Sequence, residues 1–459
     1  MKEDLSEYVL KIAESNAQYA EVYSEESVFR SFAVEQGMIN GGSYAKSTGM
    51  RVRMLKDNRL YTFSTNKPNK KILRSAISSF HGFRGFDYGL SEEKPEKAIY
   101  AVPEREKIEN ADMLTDVLYI DKALAGEKSI KYRNIYGSLG FSDTYYINSE
   151  GSSIRAHIPI VTSFIRIVVG NGKNTRARYM QFGGTGGYEL FNAESVKKEL
   201  LASAKSMQII TEKGISLSSS ALKRVKNVVI SSEIAGIAVH ESVGHPSEAD
   251  RVFGREAAQA GTSYLSQNLG MRIGSQAVTI IDDPTINNSF GFYLYDDEGV
   301  RARPKVLVDK GLHKELLLNR EYAKMLGTKS NGSARSDSYS NEPIVRMSNT
   351  YLKKGNATFS ELLSEARNGI YVKSFTEWNI DDTRSFARYQ GNEAYLIKDG
   401  ELSVPVKNFV LEKTTSSFWS AVALVGNDFN LWLGTCGKGE PEQGVPVTMG
   451  GASALLKFG

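Results

Sequence analysis

The chain has 459 residues, 41% hydrophobic and 24% charged, which is the balance of an ordinary globular protein with material for two or three domains. Its 57 basic and 53 acidic side chains leave a formal net charge of only +4, so composition gives no reason to expect nucleic acid or an anionic membrane as a partner. No apolar run approaches the roughly 18 residues that span a bilayer.

The chain begins with acidic residues, Glu3 and Asp4, where a secretion signal needs a basic start and an apolar core, so we expect a cytoplasmic protein. Apolar residues at helical spacing predict a first helix over 5–13. Alternating segments then predict strands over 20–23, 31–35, 50–55 and 60–63, with a second helix near 72–77. We interpret residues 1–90 as an N-terminal α+β domain.

The charged segment 91–110 carries two prolines and is typical of a linker. Helical spacing follows over 113–125, and residues 130–180 are rich in β-branched and aromatic side chains, with turn signals at 148–151 and 171–172. An amphipathic helix over 193–207 closes this part. We predict a middle, mostly antiparallel β domain over residues 105–215.

Residues 222–459 form the third predicted domain. Most of its patterns indicate strands, among them hairpins that turn at Gly311 and Gly400, and helices such as 320–326 are few. The predicted fold class is therefore α+β. It combines N-terminal α/β domains, whose sheet is mixed or antiparallel, with a largely β C-terminal domain that carries a metal-binding helix.

Two of the five histidines, His240 and His245, lie five residues apart, and Glu241 directly follows the first. In the common zinc-protease motif the histidines are four apart, so both imidazoles share one helix face and the glutamate can act on the metal's water. At about 100° per residue, a spacing of five rotates the second imidazole roughly 140° from the first. A regular helix could not aim both at one ion.

Gly244 and Pro246 offer local means of correcting this mismatch. Glycine tolerates unusual dihedral angles, and a proline pushes the residue before it, His245, out of the α region. We predict that the helix widens or ends at Gly244, because a π-type turn brings positions five apart nearly into line.

A catalytic zinc site keeps three protein ligands and leaves one position for water, so a third ligand is needed. Cys436 is the best candidate: glycines flank it and would let the backbone approach a metal, while Lys438 and the ion would favour its thiolate. The alternative is that this one cysteine of the chain, which permits no intramolecular disulfide, is a small buried apolar residue. Ligand types alone do not exclude iron or cobalt.

Glu241 points to another side of the helix than its neighbour His240. It is therefore placed to serve as a general base beside the metal's water and to pass the proton to a leaving amine. Nearby carboxylates could orient the imidazoles, and the choice among them is open: Glu248, Asp250, Asp296, Asp297 and Glu298. The remaining histidines, His81, His157 and His313, are interpreted as packed or surface residues.

Several further segments, together with the histidine motif, resemble the TldD/PmbA metallopeptidases, once called modulators of DNA gyrase. The segments are Asp296-Asp297-Glu298-Gly299, residues 343–351, residues 393–397, Gly426-Asn427-Asp428 and residues 434–438. Their order and spacing agree with the family, and a weaker match extends over the N-terminal domain. The chain departs from bacterial members at Pro246, where they have glycine.

The resemblance implies that His240, His245 and Cys436 bind one zinc ion per chain and that Glu241 is the catalytic base. Because the chain keeps all four residues, it is similar to the active, TldD-like members rather than to their degenerate siblings. It also implies hydrolysis of unfolded proteins or small peptides, bound extended, by a homodimer or a heterodimer with a sibling. The alternative function is a non-catalytic partner subunit or peptide-binding scaffold that retains a structural metal.

Overall fold

The computed structural model describes residues 3–79, 89–170, 172, 174–254, 263–267, 269–439 and 441–459. His81, interpreted above as a packed or surface residue, and the first residue of the predicted turn at 171–172 lie outside these residues. Among the helices of the described part, none is both long enough and apolar enough to cross a membrane. The fold is α+β, as predicted.

A mostly antiparallel sheet forms the N-terminal half of the described chain. Its strands are β1 (Tyr19–Glu35), β2 (Met38–Lys56), β3 (Arg59–Thr65), β4 (Lys97–Ala101), β5 (Ile130–Asn148), β6 (Ser153–Gly170) and β7 (Thr175–Thr185). They lie in the order β3-β2-β1-β5-β6-β4, with β7 also paired to β6, and the β4–β6 pair is parallel. The sheet is therefore mixed, one of the two arrangements predicted.

Two details of this sheet differ from the predicted elements. The segments 20–23 and 31–35 belong to one continuous strand, β1. The residues between them also pair antiparallel with β2 and β5, so the strand is not interrupted there. The predicted linker 91–110 contains β4, which gains backbone hydrogen bonds by pairing with β6. Strands from the ranges 1–90 and 105–215 thus share one sheet, and the three-domain division stays a prediction.

Four helices of the described N-terminal part pack against one side of this sheet or beside its edge. They are α1 (Glu3–Glu14), α2 (Lys70–Ser78), α3 (Met113–Ala125) and α4 (Ala193–Lys213). Val117 of α3 and Leu200 of α4 belong to one buried cluster with Ile135 and Ile165 of the sheet. Tyr136 and Phe164, whose positions are directly paired across β5 and β6, are exposed.

The C-terminal half contains short helices and many strands. The helices are α5 (Ser219–Lys223), α6 (Ser232–Val239), α7 (Ala249–Val252), α8 (Arg320–Met325), α9 (Phe359–Ala366) and α10 (Thr415–Ser420). The strands are β8 (Ile215–Ser216), β9 (Asn227–Ile230), β10 (Ile280–Asp282), β11 (Lys305–Asp309), β12 (Leu312–His313), β13 (Ala334–Arg335), β14 (Ile344–Val345), β15 (Asn349–Leu352), β16 (Gly369–Ile380), β17 (Phe386–Lys398), β18 (Glu401–Lys407), β19 (Val410–Thr414), β20 (Val422–Val425), β21 (Asn430–Lys438), β22 (Gln443–Gly451) and β23 (Ala454–Lys457). This half is largely β, as predicted.

Within the described residues, these strands form two larger sheets and a small β13–β14 pair. One sheet has the order β12-β11-β10-β15-β22-β21, and the other has the order β20-β23-β9-β16-β17-β18-β8, with β19 paired to β17. Helix α6 contacts strands of both sheets, and all its residues are buried. Its Gly236 allows a close approach to β22, because a Cβ there would lie 2.7 Å from the backbone nitrogen of Gly450. The helix that leads into the histidine motif is thus fixed in the core.

Candidate metal centre

The chain widens into a π-helical turn directly after α6. This turn spans His240–Gly244, and the backbone N–H of His245 donates to the carbonyl oxygen of His240, five residues earlier. The ring centroids of His240 and His245 lie 4.9 Å apart. The predicted irregularity of the helix is therefore confirmed.

The physical reason for the turn differs from the predicted one. Gly244 has φ −60° and ψ −63°, and His245 has φ −56° and ψ −44°, so both are right-handed helical. The prediction that Pro246 moves His245 out of the α region is wrong, since continued 3₁₀ geometry accommodates the proline at the first turn. Gly244 is needed for space, because a Cβ there would collide with the Sδ of Met347.

Side chains from elsewhere satisfy the carbonyl groups of the π turn. The hydroxyl of Tyr264 donates to the carbonyl oxygen of Ser242 at 3.0 Å, and the hydroxyl of Ser247 donates to that of Val243 at 2.7 Å. The indole N–H of Trp419 donates to the Ser242 hydroxyl at 2.9 Å. Buried backbone groups need such partners, so the irregular turn is stabilised by its surroundings.

Strand β21 brings Cys436 to the two histidines. The Sγ of Cys436 lies 3.4 Å from the Nε2 of His245, and one ligand atom from each of His240, His245 and Cys436 falls within 4.8 Å of the others. All three residues are buried. The guanidinium of Arg346 donates to the carbonyl oxygens of Cys436 and Gln443, which ties β21 to the start of β22. The structure thus assembles the three predicted ligands.

One of the five carboxylates considered earlier contacts a candidate ligand. The Nδ1 of His245 lies 2.8 Å from the Oε2 of Glu248, which leaves Nε2 facing Cys436. Lys438 contacts Glu248 at 3.1 Å and Asp250 at 2.6 Å. Its single positive charge is therefore shared between two carboxylates, and the action of Lys438 on the thiol stays a prediction.

The charges of this cluster suit a metal ion. Burial raises the pKa of the Cys436 thiol, but the His245 and His240 imidazoles outweigh burial and hold that pKa well below its ordinary value. Burial lowers the pKa of His245, whereas Cys436 and Glu248 raise it more, to about 9. The Nδ1 of His240 is buried and has no hydrogen-bond partner among the described residues. Two imidazoles and a thiolate at this spacing fit the tetrahedral preference of zinc, with one position open.

Glu241 lies beside the three donors and is held by two residues that no sequence pattern indicated. Its Oε1 accepts a hydrogen bond from the Nε1 of Trp378 at 3.0 Å, and its Oε2 accepts one from the Nη1 of Arg384 at 2.6 Å. Burial raises the pKa of Glu241, but the nearby His245, His240 and Arg384 together lower it. Glu241 is thus a fixed, ionised carboxylate. No local motif marks its two partners.

A cleft of about 610 Å³ opens onto the metal cluster and Glu241. Its walls come from β16, β21, α6 and, from the N-terminal sheet, β7. Arg178 of β7 forms two hydrogen bonds of 2.6 Å with Glu233 of α6 on this wall. Phe164 and Trp432 add aromatic surface. The cleft is therefore large enough for a short peptide segment and exposes both apolar and charged groups to it.

Three domain models of one family match the chain in order. They are the PmbA/TldA metallopeptidase domain 1 over residues 20–79, the central domain over 97–208 and the C-terminal domain over 223–457. The last of these matches contains all the residues of the candidate metal centre.

Relatives and a solved structure agree with these matches. The chain is 31% identical to a metalloprotease of Methanothermobacter thermautotrophicus, with 98% of this chain and 96% of the relative covered. It is 32% identical to a zinc metalloprotease TldD homolog of Saccharolobus solfataricus over 50% of each chain. A crystal structure from Thermotoga maritima, of a protein described as a modulator of a DNA gyrase, has a TM-score of 0.80 at 17% identity and covers 100% of this chain and 99% of its own. That likeness bears on the fold.

Proposed function

Since the chain belongs to the PmbA/TldD metallopeptidase family, we propose that it is a zinc-dependent peptidase that hydrolyses unfolded or small peptides. In this proposal His240, His245 and Cys436 are the metal ligands, with one zinc ion per chain, and Glu241 is the general base. The observation that carries it is the convergence of three buried donors and one anchored carboxylate on a single cleft.

The ligand set determines the charge of the metal centre and therefore the chemistry that a bound ion would supply. Zinc held by two neutral imidazoles and a thiolate would keep a net charge of +1, polarise the peptide carbonyl and acidify water in its open position. A purely structural zinc site closes with four protein ligands. In the described part of the chain, the group of possible metal ligands has three members, and this number favours a catalytic site.

Glu241 would move the proton in this reaction. Its carboxylate accepts a proton from the attacking water as the water oxygen bonds to the carbonyl carbon, and it then delivers that proton to the leaving nitrogen as the C–N bond breaks. Oε1 and Oε2 each hold one donor, from Trp378 and Arg384, and each retains a second acceptor position. The anchored carboxylate can therefore accept a proton without leaving its partners.

The strand β21 offers a means of binding an extended peptide. It is the last strand of its sheet in the described chain, and residues 432–437 of this strand line the cleft. A substrate strand added to this edge would be held through its backbone, which would allow peptides of many sequences to bind. We include in the proposal a homodimer or a heterodimer with a family sibling, and a location in the cytoplasm.

Hydrolysis of a mixed peptide library by the purified protein, beside the Glu241→Gln variant, tests the function. We expect the variant to keep about one zinc per chain and to lose at least about 100-fold in kcat, the lower end of what a general base contributes. Glu412→Gln, an exposed glutamate outside the cleft, is the control and should match the wild type.

The possible results separate the two functions considered. Cleavage by the wild type that Glu241→Gln abolishes supports the peptidase and its base together. Full activity in Glu241→Gln would show that the assigned mechanism is wrong. Stoichiometric zinc without cleavage by the wild type would favour the scaffold or partner-subunit alternative.

A further inference from the structure

The hairpin of β16 and β17 reaches across the cleft to the candidate base. Trp378 lies near the end of β16, and Arg384 lies in the turn before β17. Each of them donates to a different oxygen of the Glu241 carboxylate, at 3.0 Å and 2.6 Å. One supersecondary element therefore sets the position of both oxygens.

The turn that presents Arg384 has a backbone conformation that few side chains adopt. Arg384 has φ +63°, in the left-handed region that disfavours residues with a Cβ. Asp381 accepts hydrogen bonds from the backbone of Phe386 and the hydroxyl of Ser385, and the hydroxyl of Thr415 donates to the carbonyl oxygen of Arg384 at 2.7 Å. The surrounding bonds thus hold a disfavoured conformation, a feature that clusters at functional sites.

The ion pair is partly open to the cleft. The side chains of Arg384 and Glu241 are 17% and 10% exposed, so the pair lies where a substrate would sit. The Nε of Arg384 is buried and has no acceptor within the described residues. The Nη1 of the same guanidinium bonds to Glu241, and this contact orients the group.

A positive partner makes a carboxylate a weaker base, so strengthening the base cannot be the reason for this contact. Orientation can be the reason, because a displacement of about 1 Å in a reacting group costs on the order of 100-fold in rate. We propose that Arg384 is a positioning residue that, with Trp378, fixes the carboxylate of Glu241 towards the attacking water. This inference rests on the proposed peptidase function.

The planar guanidinium matters as well as its charge. Arginine directs its N–H groups in a rigid fork, whereas the lysine ammonium is a compact charge on a flexible stem. Arg384→Lys should therefore keep the charge in the cleft but lose the fixed orientation of Glu241. Arg384→Ala removes both and leaves space for a small guanidinium ion.

The kinetic test compares Arg384→Ala and Arg384→Lys with the wild type in the peptide assay. We expect kcat to fall about 100-fold in Arg384→Ala and at least 10-fold in Arg384→Lys, with KM within threefold and zinc content unchanged. Added guanidinium ion should restore at least 10-fold of kcat in Arg384→Ala and none in Glu241→Gln. Arg388→Ala is the matched control and should keep the wild-type kcat, because this half-buried arginine of the same hairpin pairs with Glu377 and Glu412 and not with Glu241.

A second readout needs no catalysis. In metal-free protein, Arg384→Ala should shift the fluorescence emission of Trp378, because its hydrogen-bond partner moves, and the shift should be absent in a Trp378→Phe background. Unchanged kcat in Arg384→Ala, or a loss that guanidinium fails to restore, would overturn the inference. If Arg384→Ala does not fold, Arg384→Lys decides by the same kcat criterion. A wild type without peptidase activity would count against the proposed function, while the fluorescence shift would still decide whether Arg384 holds Glu241.

Discussion

Cys436 and His245 form a buried pair of groups that each favours the ionised state of the other. Burial opposes both charges, yet the imidazoles hold the pKa of the thiol well below its ordinary value, and Cys436 and Glu248 raise the pKa of His245 to about 9. The contact of Glu248 with His245 fixes which ring nitrogen faces the sulfur. A metal ion entering this site would meet a ready thiolate and displace the His245 proton.

Replacing Cys436 by serine should weaken metal binding while the fold persists. Serine keeps the size of the side chain but is a poor donor for zinc at neutral pH, so two ligands remain. Loss of an outer partner alone costs about 10- to 100-fold in metal affinity, and we expect at least about 100-fold here. Competition with a chromogenic chelator measures the zinc affinity of each variant. His157→Asn, a histidine on the N-terminal sheet, is the control, and equal affinities in Cys436→Ser and wild type would remove Cys436 from the ligand set.

The π-helical turn depends on packing as well as on spacing. The missing side chain at Gly244 makes room for Met347, which belongs to one of the segments that resemble the family. Arg346 of the same segment donates to the carbonyl oxygen of Cys436. Residues 343–351 thus support both halves of the candidate metal centre, the turn with the histidines and the strand with the cysteine.

Substituting alanine for Gly244 should disturb this element. The added methyl group collides with the Sδ of Met347, and overpacking of this kind costs about 1–3 kcal/mol of unfolding free energy. The displaced turn should also lower metal affinity. Urea unfolding of Gly244→Ala, Met347→Ala and the double variant checks the cause. The loss of unfolding free energy caused by Gly244→Ala should be smaller in the Met347→Ala background, where the sulfur is absent. An equal cost in both backgrounds would contradict the collision.

The two halves of the described chain are joined by buried ion pairs. Arg53 of β2 contacts Glu21 of β1 at 2.8 Å and Glu298 of the C-terminal half at 3.0 Å. The hydroxyl of Tyr146 donates to the carbonyl oxygen of Glu298 at 2.8 Å. The Asp296-Asp297-Glu298-Gly299 segment, considered earlier as a support for the imidazoles, therefore lies in the contact between the two halves.

The pH dependence of stability should report this junction. Burial raises the pKa of Glu21, but Arg53 and Arg51 outweigh burial and lower it. A lowered folded-state pKa means that Glu21 contributes its full stability above its unfolded pKa of about 4.3 and loses it as the pH falls towards the folded value.

Glu21→Gln should therefore cost about 3 kcal/mol at pH 7, the scale for breaking a buried pair, and this deficit should shrink as the pH falls below about 4. Thermal unfolding at a series of pH values measures it. Glu7→Gln, an exposed glutamate on α1, should change stability by less than about 0.5 kcal/mol. A deficit for Glu21→Gln that does not vary with pH would mean that its charge is not the cause.

Local patterns in the sequence did not predict α5, α7, α9, α10 or most of the short C-terminal strands, but they were sufficient for α1 to α4, for α8, for most strands of the N-terminal sheet and for the irregular turn at His240–Gly244. These features depend on side-chain period and on the spacing of neighbouring residues, which are short-range quantities. Cys436, 191 residues beyond His245, was identified through its flanking glycines and through the family resemblance, because spacing carries no information over such a separation.

Only the tertiary structure identifies Trp378 and Arg384 as partners of Glu241. They lie 137 and 143 residues from it in the sequence and belong to no recognised motif. The same holds for the pairing of Lys438 with Asp250 and for the addition of β4 to the N-terminal sheet. Each is a long-range contact chosen by the packing of whole elements. A sequence pattern indicates which groups need partners, but the tertiary structure determines which residues become those partners.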